Sequence, residues 1–574
     1  MLGGFTARRF RTASVALLMA VLMVGLPVVV NVWFVPGRAG SRGPAVPHDA
    51  YVVTSPVRIA NAPEVVLKGG WLYDSDGISY DTSTKLVFDA ASISVSASPG
   101  APSTSVAEEV FPILLSQLSS MTFDTLQIRR GQIDVTSDGM ERETLKDVDV
   151  LITCNRKGGY TAKGTVTYRG NSVAFDAQWA IPADRKASLR IPLKIDLKSE
   201  ILQASIDGRL ATAEGLRLQG NADVLVRKLR GLARTFGIAL PSSNEFKDTR
   251  LKGTLDWAAG TLTFSRAAIN LDGNEGSGAL AISTAKPVPS IDGTLAFDTL
   301  DLTRYAGLVP SIAALWWPVG FGFDDADVAP SFVGRLDADL RMSASKIVVP
   351  YVQSGRGAVT VTLKDGKLLA DVAELELESG TFGGQVTADM TGEIPRYELR
   401  GKLENIDAGR GLSGVMHRNP LQGRANIVLE LQGRGFDAKD LLETVSGKAD
   451  FALSDAGRLG LDLRALLYAA QRSEIKGWTA AGKGQTALEQ LEAQLNIHNG
   501  VINTDALNAK SGGLTITGSG SVNVARQLLD MKLKFSNAAG GERANLADEA
   551  LRLRGGWTEP EIRVERQHRA QAPN

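Results

Sequence analysis

The feature that most constrains this fold is a strict alternation of apolar and polar residues that recurs along the chain. Val173, Phe175, Ala177, Trp179 and Ile181 are apolar, whereas Asp176 and Gln178 between them are polar. Leu336, Ala338, Leu340 and Met342 alternate with Arg335, Asp337, Asp339 and Arg341. Leu491, Ala493, Leu495 and Ile497 alternate with Glu492, Gln494, Asn496 and His498. Leu529, Met531, Leu533 and Phe535 do so with Asp530, Lys532 and Lys534. Successive side chains of an extended chain point to opposite faces, so each run reads as a strand with one dry and one wet face. Continuous apolar strands separated by regular helices are missing, which argues against a parallel α/β sheet. The fold class is mainly β with a few α-helices, on a long antiparallel sheet.

Asp207-Gly208, Asp272-Gly273, Asp292-Gly293, Asp365-Gly366 and Asn499-Gly500 supply hairpin signals between strands. Some amphipathic helices are also expected. Leu225, Leu229, Leu232 and Phe236 fall on one helical stripe, with Arg227, Lys228, Arg230 and Arg234 on the other faces. That basic surface reads as a solvated face in preference to a contact for anionic headgroups. Asp437 as a cap, Asp440 at the third helical position and a Phe436–Leu441 staple start a second helix, which Gly447 is expected to close. A third is expected over about Leu461–Gln471. The apolar, proline-broken stretch Leu308–Pro318, with Trp316 and Trp317, reads as a packed connection.

Composition narrows the function. The 574 residues carry 63 basic and 63 acidic side chains, a formal net charge of zero. Nucleic acid as the main partner would need a basic excess. One cysteine forbids an internal disulfide and any cysteine-based metal cluster. Cys154 shares an apolar face with Val148, Val150 and Ile152 and reads as a small buried hydrophobe. The four histidines are far apart in sequence, and His498 lies on the wet side of its strand. No phosphate loop, HExxH helix or GxSxG elbow occurs. Gly433-Arg434-Gly435-Phe436-Asp437-Ala438 imitates a dinucleotide fingerprint, but the strand after it alternates as an antiparallel one does. Asp74-Ser75-Asp76-Gly77 starts like a calcium loop without its twelfth-position Glu. No enzyme activity, catalytic residue, cofactor or metal is expected.

From Thr12 to Gly37 there is no charged residue, long enough for a transmembrane helix. Arg8, Arg9 and Arg11 precede the run and Trp33 lies near its end, which places a short N-terminus in the cytoplasm. A cleaved signal peptide would look similar; the length of the run and the absence of a small-x-small cleavage site favour an uncleaved anchor. Gly37–Pro47, rich in Gly, Pro and Arg, reads as a linker.

An ordered series of short motifs then occupies the C-terminal third. It runs Gly401-Lys402-Leu403-Glu404-Asn405-Ile406-Asp407, Gln422-Gly423-Arg424-Ala425-Asn426, and Leu431-Gln432-Gly433-Arg434-Gly435-Phe436-Asp437. Val445-Ser446-Gly447, Leu453-Ser454-Asp455-Ala456-Gly457 and Leu459-Gly460-Leu461-Asp462-Leu463 follow, then Ile497-His498-Asn499-Gly500-Val501 and Gly518-Ser519-Gly520-Ser521-Val522-Asn523-Val524. In this order they resemble the AsmA family of bacterial envelope proteins. Ala456-Gly457 stands where that family has Asp-Gly or Asn-Gly, a mild departure. The resemblance extends loosely to the anchor and to the Leu126–Asp134 strand.

The resemblance implies a single-pass protein of the bacterial inner membrane, with its bulk in the periplasm and a link to outer-membrane assembly. Its segments would be 1–36 (tip and anchor), 37–50 (linker), 51–400 (N-terminal and central β-groove), 401–540 (AsmA-like region with capping helices) and 541–574 (final strands and tail). It also implies a curled sheet, a repeating β-groove whose apolar face binds or conducts phospholipids. The lining positions would be Val173, Phe175, Trp179, Leu336, Leu340, Leu491, Leu495, Ile497, Leu529, Met531, Leu533 and Phe535. Partners would be phospholipids, the inner membrane and outer-membrane or periplasmic proteins. A sandwich that buries its apolar faces would show the same alternation, and a scaffold for outer-membrane protein assembly or targeting is the alternative function.

Overall fold

The computed structural model describes residues 125–566 except 137–142, 156–157, 181–189, 212–215, 236–247, 284–287, 304–333, 335, 350–351, 410–420, 437, 482–483 and 538–548, and the backbone of six strands between Ala50 and Ser96. The anchor expected over 1–36, the Leu308–Pro318 stretch and Phe236 lie outside these residues. No helix among the described residues is long and apolar enough to cross a membrane.

Two compact units divide the chain within the strand Ser290–Asp301. In the first, a meander of antiparallel strands runs from Thr125–Thr136 through Glu143–Cys154, Gly159–Tyr168, Asn171–Ala180, Arg190–Ser199, Leu202–Ala211, Arg217–Val226, Thr249–Ala258 and Thr261–Leu271 to Asn274–Ser283. Each strand pairs with the one before and the one after it. Among the described residues, parallel pairing occurs at the start, where Lys85–Asp89 and Ser92–Ser96 lie beside Thr125–Thr136. The second unit repeats the scheme from Val352–Lys364 through Lys367–Leu377, Gly380–Asp389, Arg396–Asp407, Arg424–Arg434, Ser446–Leu453, Gln490–His498, Val501–Ser511, Leu514–Asn523, Leu528–Asn537 and Glu549–Gly556 to Glu561–Arg566.

Alternation in sequence becomes alternation in burial. Phe175, Ala177 and Trp179 are buried and Gln178 is exposed. Recurrent bulges break the ladders. Arg130, Asp147, Arg266 and Asn405 sit at register shifts with φ of 49°, 50°, 52° and 57°. Left-handed backbone is costly for side chains with a Cβ, so neighbours hold it: the Arg130 N–H donates to Asp149 Oδ1 at 3.0 Å, and the Asn405 N–H to Asn426 Oδ1 at 2.8 Å. Each bulge bends its strand and increases the local twist.

Three of the expected hairpin signals form turns, with positive φ at both residues of Asp272-Gly273, Asp365-Gly366 and Asn499-Gly500. Asp207-Gly208 and Asp292-Gly293 instead lie inside strands. At 207–208 the apolar alternation of Ile206 and Leu210 continues through Gly208, and pairing across the sheet wins over turn propensity.

The helices also differ in detail. Leu225 belongs to the strand Arg217–Val226, and the first helix spans only Leu229–Thr235. The second spans Ala438–Thr444, where Asp440 Oδ2 accepts the Phe436 N–H at 3.0 Å. Phe436 is 42% exposed, so the staple is not buried; Leu441 packs on Ala388 and Tyr397 instead. Gly447 does not close this helix but belongs to the next strand. The third helix, Leu463–Arg472, starts at Asp462, whose Oδ1 accepts the Ala465 N–H at 3.0 Å.

Candidate functional site: an apolar lane across the second unit

Register places the inward side chains of the second unit in rows perpendicular to the strands. One row reads Val361, Ala370, Val386, Leu399, Leu431, Gly447, Ile497, Ile502, Val522, Leu529, Gly555. Beside it run Val359, Val372, Gly384, Gly401, Leu429, Ala449 and Leu495. The third row reads Gly357, Leu375, Phe382, Leu403, Ile427, Phe451, Ala493, Leu507, Gly518, Leu533, Leu551 and Val564. Every member is apolar or glycine. The rows form a lane without a hydrogen-bonding side chain, suited to holding hydrocarbon without directional contacts.

Small residues shape its floor. A Cβ on Gly384 would meet the Arg400 carbonyl oxygen at 2.4 Å and Phe382 Cζ at 2.9 Å, and one on Gly401 would meet Phe382 Cε2 at 2.8 Å. The Phe382 ring therefore lies over both glycines, an aromatic covering the space they leave open. Gly518 similarly lets Leu507 and Leu533 approach each other over its Cα.

Burial is uneven along the lane. Val359, Val361, Leu429, Leu431, Leu495 and Ile497 are half-buried. Towards the C-terminus a cover closes it. Leu463, Leu466, Leu467 and Ala470 of the third helix form one cluster with Leu529, Phe535, Leu551, Leu553, Trp557 and Ile562, against which Met531 and Leu533 pack. The Trp478 indole N–H donates to the Trp557 carbonyl at 2.8 Å.

The expected lining residues thus occupy different environments. Leu495 and Ile497 lie in the half-buried lane. Leu491, Leu529, Met531, Leu533 and Phe535 belong to, or pack against, the covered cluster. In the first unit Phe175 and Trp179 are buried, the Trp179 ring stacking on Tyr160 at 5.4 Å between centroids, and Val173 is half-buried beside them. Leu336 and Leu340 are half-buried at the start of the strand Asp337–Val349. Leu429, Leu431, Val359 and Val361 were missed, although Ile427, Leu429 and Leu431 alternate with Val428, Glu430 and Gln432. Glycines at 384, 401 and 447 interrupt the apolar signal and hide the rows.

The opposite face carries cross-strand ion pairs: Lys163–Asp176 at 2.8 Å, Arg250–Asp223 at 2.6 Å and Lys367–Asp389 at 3.1 Å. The hydrogen bond from Arg250 holds the Asp223 carboxyl below its ordinary range. Burial, then Cys154, pushes the Tyr160 hydroxyl up to about 12. Cys154 itself is half-buried, less enclosed than its sequence neighbours suggest. His498 is exposed. No group of metal-ligating side chains occurs among the described residues.

Residues 329–507 match the AsmA family. That stretch of the chain is similar to the AsmA family. The match includes every strand of the half-buried lane, from Val352–Lys364 to Gln490–His498, beginning upstream of the motifs that suggested it. Protein AsmA of Escherichia coli (strain K12) is 24% identical over 230 residues, which is 38% of this chain and 37% of that protein. The alignment therefore spans little more than a third of either. No solved structure matches this chain.

Proposed function

We propose that this chain is a non-enzymatic protein of the bacterial envelope that binds or conducts phospholipids along the apolar lane. The inner membrane would hold it through 12–37, leaving the bulk in the periplasm. The observation that carries this reading is the register of the second unit, which aligns apolar residues and glycines in unbroken rows while leaving Leu429, Leu431, Leu495 and Ile497 half-buried. Aliphatic surface left partly open gains roughly 0.8 kcal/mol for each CH₂ it takes out of water, and acyl chains supply many. Movement along such a surface needs no chemical step.

The test is lipid co-purification with the intact protein, quantified by mass spectrometry. Leu495→Asp puts a carboxylate into the lane and is expected to remove most bound phospholipid while the fold persists. Unchanged lipid in the folded variant would sink the proposal. Protein adducts in place of lipid, on photo-crosslinking from Leu495, would instead support a scaffold for assembling or targeting outer-membrane proteins.

A further inference from the structure

Ser446–Leu453 and Gln490–His498 pair directly, Gly447 with Ile497. Strands in that relation usually need a loop of about two to five residues, yet the chain between them inserts 457–488. The described residues of this insertion from 457 to 481 fold back over the lane. Its helix turns Leu466 and Leu467 inward, 0% and 1% exposed, into one cluster with Leu551 and Ile562 of the final strands. Both sides of the insertion are fastened. At one, Gly457–Leu459 pairs with Leu421–Gln422 and with Thr486–Leu488 in a small separate sheet. At the other, Ile475 pairs with Ile562, and the Trp478 indole bonds to the Trp557 carbonyl.

Resting on the lipid-binding reading above, we propose that segment 457–488 is a fixed stopper that ends the lane. Acyl chains then lie on the sheet only as far as Gln490–His498 and leave sideways over the strand ends, not along the last strands. A hydrocarbon chain passing further would have to displace Leu466 and Leu467, exchanging one apolar contact for another with no gain. Two separate fastenings distinguish this cover from a hinged lid.

The experiment uses the wild-type full chain and a phosphatidylethanolamine carrying a diazirine in its acyl chain. After irradiation, modified peptides are mapped by mass spectrometry. Adducts on Arg424–Arg434 and Gln490–His498 are expected to exceed those on Leu528–Asn537 and Glu549–Gly556 by roughly tenfold or more, a preference that a modest difference in binding produces. Leu466→Asp, or the milder Trp478→Ala if the first does not fold, should raise labelling of the last strands towards the upstream level. Equal labelling of both regions in the wild-type protein overturns the stopper and leaves the lane standing. Last strands that stay unlabelled in a folded, loosened variant also overturn it, because something other than this segment then excludes lipid. No adduct anywhere overturns the lane, and the stopper with it.

Discussion

At Gly220 a methyl group would stand 2.2 Å from the Asp207 carbonyl oxygen and 2.4 Å from Gly208 Cα, its cross-strand partner. Backbone on both sides leaves nothing flexible to give way. Gly220→Ala is therefore expected to destabilise the first unit by roughly 1–3 kcal/mol, read as a lower urea midpoint; an unchanged midpoint would show that the strands separate freely. At Asp389 the Thr391 hydroxyl and N–H, at 2.6 and 3.1 Å, and then Lys367, lower the carboxyl from 3.8 to about 2. A carboxyl held below its unfolded value contributes stability that is present above pH 3.8 and lost as pH falls through about 2. Asp389→Asn should melt below the wild-type protein at pH 7, with the gap closing between about pH 4 and pH 2. A gap that stays constant over that range would remove the carboxylate from the explanation. Neither residue stood out in the sequence. Gly220 resembles any polar-flanked glycine, and Asp389 owes its environment first to Thr391, bonded through the turn it begins, and then to Lys367 on the neighbouring strand.

Strands and helices were legible to different degrees. Alternation is a local property, so strands such as Asn171–Ala180 and Gln490–His498 could be placed from their own residues. The helix Leu463–Arg472 was legible for the same reason, needing only its apolar spacing and a cap. The expected stripe from Leu225 failed because a strand residue happened to lie four positions before Leu229, where the helix begins. Gly447 failed because strand pairing claims it before the helix could use it. The cover over the lane was hidden altogether, since its contacts with the final strands are distant in sequence. Removing the cap tests how firmly that cover is held. Asp462→Ala should weaken the helix by about 1 kcal/mol and speed hydrogen exchange at Leu466 and Leu467, leaving Leu429 and Leu431 unaffected. Equally faster exchange at all four would mean that helix and lane open as one body.

For the molecule as a whole, the decisive division is between two faces of the same strands. Glu430 points away from the lane and Leu431 into it, one residue apart on Arg424–Arg434. Glu430→Lys is expected to leave phospholipid co-purification unchanged, whereas Leu431→Asp should reduce it several-fold. Equal losses would mean that charge on the outer face contributes to binding. Zero net charge fits this division, because the outward side chains mix both signs in pairs such as Lys367–Asp389.

Among the described residues, most strands pair with the strands next to them in sequence. The Trp478–Trp557 bond is different, joining residues 79 apart. Ile475 likewise waits for Ile562 on the last strand. The upstream rows can thus be assembled before anything fastens the cover on this side. The apolar face of the last strands is therefore the latest to gain its cover, and Glu561–Arg566, which carries Ile562, completes the fastening on this side.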